Sequence, residues 1–186
     1  MYSAATVALA AEKAGVEVDD IDDTAPGYIK NVKTIKLASG TAANAKKGTG
    51  PVYTTLTVTG DITAPTMSNS ITLGNYARLD VTGSLINSDV NVGTTIKAGS
   101  NSNISFTGSL SSVAGLNIGA NSTFDQKDGQ TVGGTAGNDT FAFGTDAKAH
   151  MGAVNMKGGK NTFNVGSRAT VDVMGDLDNV STLKLA

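Results

Sequence analysis

Apolar and polar residues alternate along most of the chain in short runs, and glycines recur between the runs. One unit occupies residues 71–85, and similar units follow at 96–110, 141–152 and 163–177. The glycine that ends the first run of each unit lies at 74, 99, 119, 144 or 166, so successive units are 25, 20, 25 and 22 residues long. Alternation predicts strands, and a repeat of this length is typical of coils that bury their apolar side chains by stacking. The pattern therefore predicts an all-β fold, a parallel β-solenoid (β-helix) of about six or seven coils of 20–25 residues.

The repeat begins near residue 29, and the preceding residues have a different pattern. Ser3 is a suitable N-cap for a short helix over residues 4–14, and Gly15 is a suitable C-terminal residue. We therefore expect an N-terminal helical cap or connector over residues 1–28 and the solenoid over residues 29–186.

The sequence at 31–38, NVKTIKLA, is nearly repeated at 179–186 as NVSTLKLA. The last residues thus belong to a β unit with no cap after it, and an uncapped coil is an aggregating edge. We expect the solenoid to be truncated here and to continue in adjacent repeats of a longer parent protein. The exposed last strand also predicts end-to-end self-association.

Composition and charge exclude several function classes. Apolar residues make up 39% and aromatic residues 5%, and there is no cysteine, which excludes disulfides and thiolate metal sites. The net charge is −2 with no lysine or arginine cluster, so we expect no nucleic-acid binding. No segment is long enough to span a membrane, and no basic residue precedes the weakly apolar residues 4–11 as a signal peptide requires. Any export signal is therefore expected outside this sequence.

Residues 134–141, GTAGNDTF, resemble the calcium-binding nonapeptide of RTX (hemolysin-type) proteins, whose consensus is G-G-x-G-x-D-x-U-x. Gly137, Asp139 and Phe141 match that consensus, and a degenerate copy with Asn161 in place of the aspartate follows at 158–163. The resemblance implies a calcium site at Gly137, Asn138 and Asp139. The alternative is a tight turn in which Asn138 adopts a left-handed conformation and Asp139 caps backbone amides. No other cofactor is expected.

The β region as a whole is similar to the solenoid repeats of large bacterial adhesins, including autotransporter passengers and type I secreted proteins. Units such as GKNTFNVG at 159–166 carry this resemblance. It implies a non-enzymatic structural or adhesive segment, in the manner of an adhesin or an S-layer protein. It also implies an extracellular or cell-surface location in a bacterium, and a glycan or protein receptor as partner.

Two other functions are left open. The first is a carbohydrate-active β-helix enzyme, a lyase or glycosidase, because such enzymes need two carboxylates, or a carboxylate with a basic residue, on one face. The candidate side chains are those of Asp80, Asp172, Asp176, Arg78 and Arg168. The second is a calcium-stabilised RTX-like folding module, which depends on the Asp139 turn.

Other polar residues have simpler interpretations. His150, the only histidine, is expected on the surface at the place that Asp172 occupies in the next coil. The acidic run at residues 19–23 lacks the EF-hand spacing and is interpreted as a solvated loop. The threonines at 54–59 suggest ice binding, but Asp80, Ser105 and Asp172 are expected at comparable positions in later coils. No threonine ladder is therefore expected.

Overall fold

The computed structural model describes residues 16–19, 34–44, 48–64 and 68–186. The predicted helix over residues 4–14 lies outside these ranges, and so does most of the predicted 1–28 cap. Within the described residues the fold is an all-β parallel solenoid, as the repeat predicts. Its strands are β1 (Val16–Asp19), β2 (Thr34–Leu37), β3 (Thr54–Val58), β4 (Ile62–Ala64), β5 (Asn69–Leu73), β6 (Ala77–Val81), β7 (Leu85–Asn87), β8 (Thr94–Ala98), β9 (Asn103–Phe106), β10 (Val113–Ile118), β11 (Thr123–Gln126), β12 (Thr131–Gly133), β13 (Thr140–Phe143), β14 (Lys148–Met151), β15 (Ala153–Asn155), β16 (Thr162–Val165), β17 (Thr170–Val173), β18 (Leu177–Asp178) and β19 (Thr182–Leu185).

Each complete coil contributes one strand to each of two sides and, except in the coil of β8 and β9, one strand to a third side. The first side is an eight-stranded sheet in the order β1-β2-β5-β8-β10-β13-β16-β19, and the second is a six-stranded sheet in the order β3-β6-β9-β11-β14-β17. The third side contains the pairs β4-β7 and β12-β15-β18, which single bridges at Leu110 connect. All pairs between coils are parallel, whereas β1 lies antiparallel on β2. Six coils are complete, and β19 begins a seventh.

The core is a set of columns along the solenoid axis. Strand alternation directs every second side chain inward, and parallel register places each of these on its counterpart in the next coil. In the eight-stranded sheet one inward column contains Ile35, Ile71, Ile96, Leu116, Phe141, Phe163 and Leu183. All of these except Leu183 are at most 2% exposed. Stacking of this kind makes stability a sum over coils and their interfaces.

Glycines mark the corners because neighbouring coils approach closely there. A Cβ on Gly119 would lie 2.6 Å from the carbonyl oxygen of Gly99, one coil earlier. Positive φ is found instead two residues after each corner glycine of the eight-stranded sheet, with φ between 52° and 58° at Tyr76, Asn101, Asn121, Asp146 and Arg168. The corner glycines are thus required for close backbone approach, and the left-handed conformation belongs to the turn residue that follows.

The continuous alternation at residues 52–62 corresponds to two strands and not to one. β3 and β4 lie on different sides of the first coil, and the chain bends between them at Gly60, whose φ is 132°. Only glycine adopts this backbone conformation without strain. Alternation therefore continues through a corner when the bend occurs at a residue without a side chain.

The last coil exposes its apolar side chains. Leu183 is 55% exposed and Leu185 is 73% exposed, although their counterparts in earlier coils are buried. Met174 and Leu177, in the preceding coil, are also exposed. The free edge of β19 lies beside them, as the repeated NVSTLKLA segment predicts.

Candidate functional site

The turn before β13 holds the predicted calcium ligand Asp139 in a fully buried position. Thr135 donates two hydrogen bonds to its carboxylate, from the backbone amide to Oδ2 at 2.8 Å and from the hydroxyl to Oδ1 at 2.6 Å. Burial raises the pKa of the Asp139 carboxyl, while the Thr135 hydrogen bonds and the nearby charge of Lys157 oppose that rise. Asp139 thus closes the loop that begins at Gly134, where any Cβ would overlap the carboxylate.

Asn161 occupies the same position one coil later, as the degenerate second motif predicts. Its side-chain oxygen accepts a hydrogen bond from the backbone amide of Asp139 at 2.9 Å. Its side-chain nitrogen donates to carbonyl oxygens of Met156, Gly158 and Asn179 at 2.8, 2.8 and 3.0 Å. An aspartate accepts only and an amide also donates, so the two residues stabilise different loops from the same place in the coil.

The other two predicted calcium ligands lie on the surface of the same turn. Gly137 donates its amide to the Thr135 hydroxyl at 3.1 Å, and Asn138 accepts a hydrogen bond from the amide of Lys160 at 2.7 Å. Among the described residues no group of three histidine or acidic side chains is arranged to hold a metal ion. Asp139 thus caps a backbone amide as in the capped turn, but the left-handed conformation predicted for Asn138 is wrong because its φ is not positive. The calcium site stays a prediction.

The outward side chains of the six-stranded sheet form two columns, which together we call the acidic face. One column contains Thr57, Asp80, Ser105, Asp125, His150 and Asp172, and the other contains Thr55, Arg78, Asn103, Thr123, Lys148 and Thr170. His150 lies in register with Asp172, as predicted. The threonine ladder is absent from this face because other residue types replace threonine in most coils.

Several polar groups of the acidic face form side-chain hydrogen bonds. Asp80 accepts hydrogen bonds from Arg78 at 2.6 Å and from Ser105 at 2.8 Å. The His150 Nε2 lies 2.6 Å from an Asp128 carboxylate oxygen, and this hydrogen bond is the main reason that the pKa of His150 is raised. The charges of Asp125 and Asp172 raise it further. An open groove of about 560 Å³ runs over this part of the face, lined by residues that include Lys148 and Phe124.

The carboxylates proposed for the enzyme alternative are not close together. Asp80 and Asp172 share a column, but four strand steps separate them, which corresponds to about 19 Å. Glycoside hydrolysis needs two carboxyl groups within about 10 Å. Asp176 lies in the loop before β18, and Arg168 forms a bidentate ion pair with Asp146 at 2.6 and 2.8 Å. This pairing joins the positive-φ residues of two adjacent corners.

The outward side chains of β2, β5, β8, β10, β13, β16 and β19 form a second surface, the hydroxyl face. Its first column contains Thr34, Ser70, Thr95, Gly115, Thr140, Thr162 and Thr182, and its second contains Lys36, Thr72, Lys97, Asn117, Ala142, Asn164 and Lys184. The prediction that no threonine ladder exists is therefore wrong for this sheet. A single column of hydroxyl groups runs along it, broken at Gly115.

Sequence reasoning did not find the hydroxyl face or the pairing of His150 with Asp128. Both depend on which residues of different coils are in register. The available signal was the residue that precedes each inward apolar pair, which is threonine or serine in six of the seven parallel strands of this sheet. Aligning the units on these pairs, and not on their glycines, would have placed the threonines in one column.

Comparison with known proteins gives no assignment. No protein-family model matches the chain, and searches of curated proteins and of solved structures give no significant match. No helix among the described residues has the length and apolar character needed to cross a membrane.

Proposed function

We propose that this chain is a non-enzymatic structural or adhesive segment of a large exported bacterial surface protein. The observation that carries the proposal is the stack of six coils in continuous register, with polar side chains aligned on two flat faces. Coil spacing of about 4.8 Å gives a rod of roughly 30 Å for this segment alone. The rod holds its faces, and any domain attached to it, at a fixed distance from the cell.

The side-chain chemistry supports display more than catalysis. Outward positions are mainly threonine, serine, asparagine and lysine, which form hydrogen bonds with glycans or proteins without a deep pocket. The carboxylates Asp80 and Asp172 lie too far apart to act on one glycosidic bond. Most inward positions are filled by apolar side chains, with Phe141 and Phe163 at a centroid distance of 6.2 Å, so the coil interior is a packed core.

Surface exposure on intact cells tests the proposal. An antibody raised against this chain should label unpermeabilised cells of the source bacterium, and external protease should remove that labelling. A cytosolic protein measured in the same cells serves as the control for lysis. Labelling that requires permeabilisation would refute the surface assignment.

One observation favours the carbohydrate-active enzyme as a second candidate. Asp125 and Asp172 flank His150 on the acidic face, two strand steps or about 10 Å apart, and the open groove passes over them. This separation lies at the upper limit for carboxylates that hydrolyse a glycosidic bond through a bound water. Release of new reducing ends or unsaturated sugars from a panel of polysaccharides, abolished by Asp125→Asn, would replace the display proposal by this one.

A further inference from the structure

The hydroxyl face carries basic residues but no acidic residue along its seven parallel strands. From β8 to β19 the outward positions are occupied by small hydroxyl and amide residues, Gly115, Ala142, and two lysines, Lys97 and Lys184. Glu17 and Asp19 belong to β1 at the far end of the sheet, three strand steps from β8. The acidic face, in contrast, carries Asp80, Asp125 and Asp172. The acidic face also carries Arg78 and Lys148, so the two faces differ in that only the six-stranded sheet has outward carboxylates along its parallel strands.

From β8 to β19 the polar side chains of the hydroxyl face differ from those of the acidic face in their hydrogen bonding. On the acidic face, Asp80, His150 and Thr123 all form side-chain hydrogen bonds. On β8 to β19, no outward side chain of the hydroxyl face forms a hydrogen bond or ion pair with another described residue. The face therefore presents donors and acceptors that are free to bind an external molecule.

A shallow trough crosses the centre of this face. Ala142 lies between Asn117 and Asn164 in its column, and its small side chain leaves a depression of about 350 Å³ bounded by Lys97 and Gly144. The side-chain oxygen of Asn164 is buried and has no hydrogen-bond partner among the described residues. Asn164 does not line this trough but a second depression, beside Val165 and Lys184. The Ala142 trough is bounded by Asn117, whose side-chain amide can both donate to and accept from a sugar hydroxyl.

The chemistry of the face selects among classes of partner. Protein interfaces depend on aromatic and large apolar anchors, and none points outward on β8 to β19. Single-stranded nucleic acid requires stacking aromatic side chains or a dense basic stripe, and this surface has neither. A linear polysaccharide offers many hydroxyl groups, and carboxylate groups along it would complement Lys97 and Lys184, which are about 19 Å apart.

We infer that the hydroxyl face between β8 and β19 binds a linear polysaccharide that carries carboxylate groups, extended along the solenoid axis. The inference rests on the proposed adhesive function, for which it names the binding surface and the class of ligand. The hydroxyl column contacts sugar hydroxyls at successive coils, and Lys97 and Lys184 pair with carboxylates near the two ends of the bound segment. The Ala142 trough receives one sugar substituent beside Asn117.

Binding of the full chain to polygalacturonate, measured by calorimetry at low ionic strength, tests the inference, with neutral dextran as the comparison. We expect polygalacturonate to bind, dextran not to bind, and about 0.5 M NaCl to weaken the complex by screening. Lys97→Gln and Lys184→Gln should each weaken binding about 2- to 5-fold, the factor expected for loss of one solvent-exposed ion pair. Lys148→Gln, which removes an exposed lysine from the acidic face, is the matched control and should have no effect.

A second variant tests the trough independently of charge. Ala142→Phe fills the depression at an outward position, so it should abolish binding while the thermal melting curve stays unchanged. Thr170→Phe makes a comparable change at an outward position of the acidic face and should bind normally. If Ala142→Phe does not fold, the lysine variants still decide the question.

Several results would overturn the inference. These are no binding of polygalacturonate, equal binding of dextran, equally tight binding of single-stranded DNA, or equal losses from Lys148→Gln and Lys97→Gln. Surface labelling of intact cells is measured separately, so a failed binding experiment leaves the proposed surface location standing. If intact cells are not labelled but the chain binds the polysaccharide, the surface location is refuted and the binding surface stands.

Discussion

Asp139 is the buried charge whose removal most directly tests how this solenoid closes its corners. Asp139→Ala leaves the backbone amide and the hydroxyl of Thr135 without their acceptor, and Thr135 is only 2% exposed. Each buried donor that loses its partner costs about 1–3 kcal/mol. Relief of the desolvated carboxylate offsets part of this cost, so we expect a net loss of about 2–4 kcal/mol in the free energy of unfolding.

Urea denaturation followed by circular dichroism, at pH 7 with a chelator present, measures this loss. Asp125→Ala is the control, because it removes an exposed carboxylate from the acidic face and should change stability by less than about 0.5 kcal/mol. Asp139→Asn keeps one acceptor oxygen and removes the charge, so its effect should lie between those of the two alanine variants. Hydrogen exchange at the Thr135 amide should accelerate in Asp139→Ala even if the coils unfold one after another.

The pH dependence gives a second test of the same residue. Burial raises the pKa of Asp139 in the folded state above its ordinary value of 3.8, so the folded protein binds the proton more tightly than the unfolded chain does. The stabilisation that this provides is complete below pH 3.8 and is lost as the pH rises through the folded-state pKa. Asp139→Ala should remove this slope.

A loss below about 0.5 kcal/mol for Asp139→Ala would refute the account of the turn given above. Calcium provides the other decisive result. If millimolar calcium raises the melting temperature of the unmodified chain strongly, and Asp139→Ala abolishes that rise, the carboxylate is a metal ligand and the chain is a calcium-stabilised folding module.

Three further predictions concern other parts of the rod. Titration of the single histidine, His150, by NMR should give a pKa above 6.5 that falls toward 6.5 in Asp128→Asn. The stabilisation from this pair should be present below pH 6.5 and lost as the pH rises through the folded-state pKa of His150. An unchanged pKa in the variant would contradict the pairing. Gly152→Ala should destabilise the fold by about 2 kcal/mol or more because its Cβ would overlap the carbonyl oxygen of Gln130. Gly50→Ala, which has open space around the added Cβ, is the control and should be nearly neutral. Equal melting temperatures of the two variants would refute close approach at the Gly152 corner. Leu185→Lys should reduce end-to-end self-association, measured by sedimentation velocity at high protein concentration, since it places a charge on the exposed apolar end. An unsubstituted chain that is monomeric under these conditions would refute the self-association.

Most inward positions could be predicted from the sequence because strand alternation is a local property. Ile71, Ile96 and Phe141 are buried as their pattern indicates, and the corner glycines lie where coils approach closely. The same rule places Asp139 inward, two residues before Phe141, and so favours the capped turn over an exposed metal ligand. One side of each strand packs against the core whichever strands lie beside it, so the alternation of apolar residues is enough to predict which side chains are buried.

The pairing of outward residues could not be predicted in the same way. Coils of 20 and 25 residues differ in the length of their corners, and a difference of one residue in the assumed register changes every outward neighbour. Arg168, a candidate residue of the enzyme alternative together with Asp172, pairs with Asp146 of the previous coil. The ladder of threonines was missed for the same reason.

The sequence by itself therefore determined the repeat, the all-β class, the inward side of each strand and the corners. Only the tertiary structure decided which polar residues of different coils lie side by side. It places outward carboxylates on the six-stranded sheet, while the outward positions from β8 to β19 carry lysines and no carboxylate. The physical reason is the distance along the chain over which each interaction acts. Alternation acts within a strand, whereas the outward columns arise from hydrogen-bonded register between strands that are 20 or more residues apart in the chain.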